Sequence, residues 1–142
     1  SYESSNPNKL NRNDKILVLL ALSIIHKPKV LFLDDITLMM SKKEKKKVLE
    51  VLTTLNKEWG ITIVMSTTKL EDALYSDYLY ILNGGNIVLE GKPLEVLKED
   101  NVINKLGLNM PFMIDLSIKL RDYDLIKDTV LDMEGMVDLL WK

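Results

Sequence analysis

Two places in the sequence join polar, chemistry-bearing side chains to the abrupt end of an apolar run. Val30-Leu31-Phe32-Leu33 stops in Asp34-Asp35, and Ile61-Thr62-Ile63-Val64-Met65 stops in Ser66-Thr67-Thr68. Open α/β sheets gather ligands at the carboxyl ends of their strands. A carboxylate at such an end can hold a hydrated Mg²⁺, and a neighbouring one can orient or deprotonate a water. The same two acids can equally do no more than end a hydrophobic strand, and spacing does not choose between these readings. Composition removes other chemistries. The chain has no cysteine, so thiolate zinc sites, disulfides and cysteine nucleophiles are out. Its one histidine, His26, leaves almost no material for a Ser-His-Asp triad or a multi-histidine metal site. His26 itself, beside Pro28 at a helix end, reads as an exposed turn residue.

The elements that must position these residues alternate. Asp14 to Ile25 is an apolar helical stretch, read as a buried helix and stopped by His26-Lys27-Pro28. Val30 to Leu33 is a continuous apolar run, read as a strand buried on both faces. Ser41 reads as an N-cap with Glu44 as its capping-box partner. The helix that follows sets Val48, Leu49, Val51, Leu52 and Leu55 on one side, and puts the run Lys42, Lys43, Lys45, Lys46, Lys47 on a solvated face. Ile61 to Met65 is a second buried strand, followed by a short helix from Lys69. Asn83-Gly84-Gly85-Asn86 between Tyr78–Leu82 and Ile87–Leu89 is the strongest hairpin signal in the chain. The expected fold class is therefore α/β with a partly parallel sheet. After Asp100 only short helical pieces follow, giving a boundary between residues 1–99 and a helical extension, 100–142. In that extension Leu106, Leu108, Phe112, Leu116 and Leu120 form one apolar group. Met136, Leu139, Leu140 and Trp141 form another.

The 142 residues are 46% hydrophobic and 28% charged, which fits a globular domain rather than a disordered chain. A net charge of −2 argues against a dedicated nucleic-acid binder. The longest strongly apolar stretch, Ile16 to Ile25, is about half of what a bilayer span requires. Residues 1–9 lack the cationic start and apolar core of a signal peptide. The expectation is a soluble protein able to dock on a membrane partner.

Leu31-Phe32-Leu33-Asp34-Asp35-Ile36-Thr37 resembles the Walker B segment, LxLDEPT, of ATP-binding cassette (ABC) proteins. The resemblance continues in register. Residues 6–14, Asn6 to Asp14, occupy the place of a SPxxLSGGQ signature, and Thr67-Thr68-Lys69-Leu70-Glu71-Asp72-Ala73 resembles the THxxEDA switch segment. Asn86-Ile87-Val88-Leu89-Glu90-Gly91-Lys92-Pro93-Leu94-Glu95-Val96-Leu97 is similar to GxIVxEGTPxEVL. The stretch Leu106 to Leu120 and the closing Leu139-Leu140-Trp141-Lys142 resemble the tail of energy-coupling factor (cobalt/vitamin-type) ATPase subunits.

This resemblance implies a P-loop NTPase half domain, with ATP and Mg²⁺ as cofactors once another chain or segment completes the site. It implies Asp34 as the metal-associated carboxylate, Asp35 at the catalytic glutamate position and Thr68 at the switch histidine position. Asn11, Arg12, Asn13, Asp14 and Ser41 fall at nucleotide-facing positions. Implied partners are a second ABC ATPase subunit and a transmembrane coupling subunit, with no nucleic acid and with membrane contact only through proteins. The implied place is cytoplasmic, peripheral at the inner face of the cell membrane, in an importer of vitamins or metal ions.

The departures matter as much. A GxxxxGK[ST] phosphate loop and a glutamine loop are not in these residues. Asn11, Arg12 and Asn13 replace the signature's serine and glycines, and Arg12 obstructs a close backbone approach. As the alternative reading, the Arg12 cation can itself contact phosphate. Asp35 is shorter than glutamate by one methylene, roughly 1.5 Å, and so makes a poor base. Thr68 cannot replace an imidazole. Ser41 stands in place of an aspartate. The expectation is a component not competent for ATP hydrolysis alone, or alternatively a non-catalytic interaction module or remnant that binds a partner ATPase.

Overall fold

The computed structural model describes residues 6–141. Residues 1–5 and Lys142, which belong to the polar opening and the closing tail, lie outside the described residues. By its internal contacts the chain divides into two compact units, one ending at Thr68 and one beginning at Lys69.

The first unit opens with a single 3-10 turn, Pro7–Lys9, and continues as α1 (Arg12–Ile24), β1 (Val30–Asp34), α2 (Lys42–Trp59) and β2 (Thr62–Ser66). Helix α1 starts before the expected Asp14 because Asn11 caps it: the Asn11 side chain accepts from the Asp14 amide at 2.9 Å. The capping box expected at α2 is present, with Ser41 and Glu44 reciprocally bonded. Gly60 ends α2 in the left-handed region (φ 67°), its amide bonding back to Asn56. Strands β1 and β2 are parallel, in register from Val30 opposite Thr62 to Asp34 opposite Ser66. Leu20, Leu31, Met40, Val48, Leu49, Leu52, Leu55 and Ile61 form the core, with Leu33, Ile63 and Met65 packed against it.

Three expectations differ from the structure. Val51, expected on the apolar side of α2, is exposed, while Val48, Leu49, Leu52 and Leu55 are buried. Helix α1 is not a buried helix: Leu20 is its one buried residue, while Leu17, Leu19 and Leu22 are exposed. Nor are β1 and β2 buried on both faces. Leu31 and Leu33 meet the core, whereas Val30 and Phe32, with Val64 of β2, face outward, and Phe32 is 74% exposed. The physical reason is that α1 and α2 pack on one face of a two-stranded sheet. No element of this unit packs on the other.

The second unit contains α3 (Leu70–Ala73), β3 (Leu79–Asn83), β4 (Asn86–Gly91), α4 (Pro93–Val96), α5 (Asp100–Lys105), α6 (Phe112–Asp122) and α7 (Met133–Leu140). Strands β3 and β4 form the expected antiparallel hairpin. Its turn places Gly84 and Gly85 at φ 56° and 79°, where side-chain-bearing residues are strained. Leu70, Ile81, Val96, Leu97, Ile103, Ile114 and Ile118 share one core, with Leu106 and Leu108 against it. Helices α5 and α6 therefore fill the same core as the hairpin, so the contact division does not coincide with a boundary at residues 99 and 100. Ser117 ties down the following loop by accepting from the Val130 amide at 3.0 Å and donating to the Val130 carbonyl at 3.2 Å. The tail's apolar groups are only partly packed. Met136 is buried, but Phe112 is 62% and Trp141 87% exposed.

Candidate functional site

The parallel register sets the last residues of β1 and β2 side by side, so Asp34 lies opposite Ser66. The Ser66 hydroxyl donates to Asp34 Oδ1 at 2.5 Å. It also accepts from the Asp35 amide at 3.1 Å, and the Ser66 carbonyl accepts from that same amide at 3.1 Å. The chain then leaves the sheet through Asp35 in the left-handed region, φ 46°, a conformation sparsely populated by residues other than glycine. Asp35 Oδ1 is buried with no hydrogen-bond partner among the described residues, while Asp34 is exposed. Beyond it, Thr37 is fully buried, and a turn closed by the Met40 amide on the Thr37 carbonyl at 3.1 Å leads to Ser41.

A second cluster joins the N-termini of α1 and α2. Glu44 Oε2 accepts from the Ser41 amide at 3.0 Å and from the Ser41 hydroxyl at 2.6 Å, and Asn13 Nδ2 donates to Glu44 Oε1 at 3.1 Å. These bonds, the Ser41 hydroxyl foremost, favour the charged carboxylate and hold Glu44 below its ordinary range. Asn11 closes the other side, donating from Nδ2 to Asp14 Oδ2 at 2.7 Å. Asn11, Asn13, Asp14 and Ser41 are thus drawn into two helix caps that Glu44 bridges, and Arg12 stands exposed in the first turn of α1.

The donor set at the strand ends is oxygen only: two carboxylates and a hydroxyl. That suits Mg²⁺, which takes one or two carboxylates, keeps several waters and draws further ligands from phosphates. The orphaned Asp35 Oδ1 is consistent with a group waiting for a ligand. Among the described residues, no cluster of three or more His, Cys, Asp or Glu can hold a metal on its own.

No family model matches the chain. Among curated proteins it is 33% identical over 140 residues to the energy-coupling factor transporter ATP-binding protein EcfA1 of Caldanaerobacter subterraneus subsp. tengcongensis, an alignment covering 98% of this chain and 50% of that protein. It is 37% identical over 123 residues to EcfA2 of Clostridium perfringens, covering 86% of this chain and 43% of that one. The solved structure of cbiO1 from Clostridium perfringens, part of the ABC transporter complex cbiONQ, superposes with a TM-score of 0.62 at 31% identity, over 75% of this chain and 43% of that chain. The chain belongs to the ATP-binding cassette ATPases. A dimeric ATP-binding cassette in a post-hydrolysis state, bound to ADP and Pi, superposes at a TM-score of 0.58 and 26% identity, over 62% of this chain and 38% of that one. The chain spans about half the length of the curated relatives it matches.

Within this chain the site residues fall into two hydrogen-bonded groups, and Arg12 and Thr68 join neither. Thr68 is exposed two residues past Ser66 and makes no hydrogen bond to Asp34 or Asp35. Two residues gain importance that sequence reading did not give them. Glu44 was visible only as a cap partner, and its bond to Asn13 depends on two helix ends meeting. Ser66 was visible as one of three polar residues ending a strand. The matching end of β1 at Asp34 is the signal that singles it out.

Proposed function

We propose that this chain is the Walker B-to-tail portion of an energy-coupling factor ATP-binding subunit. In this reading it supplies the carboxylate side of a nucleotide site whose phosphate-gripping part comes from other polypeptide. The observation that carries the reading is the strand-end cluster, in which Asp34, Asp35 and Ser66 form one hydrogen-bonded group in a cassette ATPase relative. Asp34, with Asp35 beside it, would hold Mg²⁺, which supplies charge neutralisation for bound phosphates. Asp35 is a short base, Thr68 cannot act as an imidazole, and Asn13 and Ser41 are engaged with Glu44. The portion is accordingly not competent for ATP hydrolysis alone.

The partners proposed with it are a second ABC ATPase subunit and a transmembrane coupling subunit, at the cytoplasmic face of the cell membrane, in an importer of vitamins or metal ions. No helix among the described residues is long and apolar enough to cross a membrane. A second reading, an interaction module that binds a partner ATPase without contributing to its site, is favoured by the replacements at Asn11–Asn13, Asp35 and Thr68.

Co-assembly with an energy-coupling factor ATP-binding subunit that carries its own phosphate loop separates the two. If the chain contributes to the site, Asp34→Asn lowers the ATP turnover of the assembled complex at least tenfold. If it is an interaction module, assembly persists and turnover is unchanged by the substitution.

A further inference from the structure

We propose that Ser66 is a positioning residue for the Asp34–Asp35 pair, acting through its hydroxyl on the orientation of the Asp34 carboxylate and on the backbone of Asp35. This rests on the reading of that pair as the Mg²⁺-associated acids. A serine hydroxyl carries one donor and two acceptor lone pairs, and both functions are in use here. The donor goes to Asp34 Oδ1 at 2.5 Å, and a lone pair receives the Asp35 amide at 3.1 Å. Among the described residues, Ser66 is the one side chain that bonds the Asp34 carboxylate. One Asp34 oxygen is thereby fixed while Oδ2 stays open to a ligand.

The second bond acts where the backbone is least at ease. Asp35 is in the left-handed region, φ 46°, and such a conformation persists only when neighbouring groups over-determine it. Here the Ser66 hydroxyl and carbonyl both hold the Asp35 amide. The result is an Asp34 carboxylate oriented and an Asp35 backbone fixed before any cation arrives, which removes an ordering cost from binding.

Ser66→Thr and Ser66→Val test this in the 142-residue chain. The two variants differ by a hydroxyl against a methyl, and both β-branched residues suit a strand. Two readouts are taken by NMR: three-bond couplings that report the Asp34 χ1 rotamer, and binding of Mn²⁺ alone, followed by paramagnetic broadening at the strand ends. The native chain and Ser66→Thr are expected to show one dominant Asp34 rotamer. Ser66→Val should show averaged couplings and bind Mn²⁺ about tenfold more weakly, the scale of a lost hydrogen bond to a charged group. Ser66→Ala repeats the test should the valine variant not fold. A hydroxyl-free variant that keeps the single rotamer and native Mn²⁺ affinity overturns the proposal. If Mn²⁺ broadens nothing near Asp34 even in the native chain, the metal reading fails separately, and the couplings still decide the role of Ser66.

Discussion

Leu31→Ala and Phe32→Ala alter adjacent residues of β1 that point to opposite faces of the sheet, and their costs should differ severalfold. Leu31 is 7% exposed and shares the core formed with residues of α1 and α2. Truncating such a leucine costs about 2–5 kcal/mol, combining lost transfer energy with the cavity left behind. A fully buried phenylalanine would cost about 3–5 kcal/mol. Phe32 is 74% exposed, so the covered quarter scales that penalty to about 1 kcal/mol. Against a typical total stability of about 5–15 kcal/mol, the first change should clearly move a urea midpoint followed by circular dichroism, and the second should barely do so. Light scattering supplies the other half of the test. Val30, Phe32 and Val64 form an exposed apolar patch, with Asp34 at its end, on a parallel sheet, a type normally covered on both sides, so the native chain should self-associate and Phe32→Ala should reduce it. Equal stability losses for the two variants, with unchanged scattering, would refute the half-covered sheet.

The tail should divide in the same manner: Trp141→Ala should cost less than about 1 kcal/mol and Phe112→Ala about 1–2 kcal/mol, while Ile114→Ala, at a buried position of the same helix as Phe112, should cost about 2–5 kcal/mol by chemical denaturation. Ser41→Ala should destabilise by about 0.5–2 kcal/mol through loss of the α2 cap. The Glu44 carboxyl is held below its ordinary range in the folded chain, so its contribution is full above the unfolded value of about 4.3 and is lost as pH falls through the folded value. The Ser41 amide resonance should report that acid transition, and Glu44→Gln should abolish it. Gly85→Ala, forcing a side chain into φ 79°, should weaken the hairpin by about 1 kcal/mol, measured by amide exchange in β3 and β4.

What the sequence discloses here is mainly what short-range chemistry decides. The Ser41–Glu44 box and the Gly84-Gly85 turn each depend on a few adjacent residues, and each stands where it was expected. Exposure is another matter. A run such as Val30 to Leu33 records that a strand is suited to cover on both faces, but not whether these residues supply the cover. Phe32 is the result. In the tail, Phe112 and Ile114 are both large and apolar, and only the packing of α6 decides which of them turns inward. The strand-end acids were legible as candidates. Their link to Ser66 was not, because it depends on the parallel register between β1 and β2, as does the left-handed turn at Asp35.

The central claim, that these residues hold the carboxylate part of a nucleotide site and need other polypeptide to grip the phosphates, is tested most directly by one thermal-unfolding series with Mg²⁺ and ATP. The 142-residue chain is melted alone and mixed with a cassette ATPase segment bearing a GxxxxGK[ST] loop. A ligand at 100 times its dissociation constant stabilises a folded protein by about 2.7 kcal/mol, which raises the melting temperature by several degrees. No nucleotide-dependent shift is expected for the chain alone and a clear one for the mixture, lost in Asp34→Asn. A Mg-ATP-dependent shift in the chain by itself would contradict it.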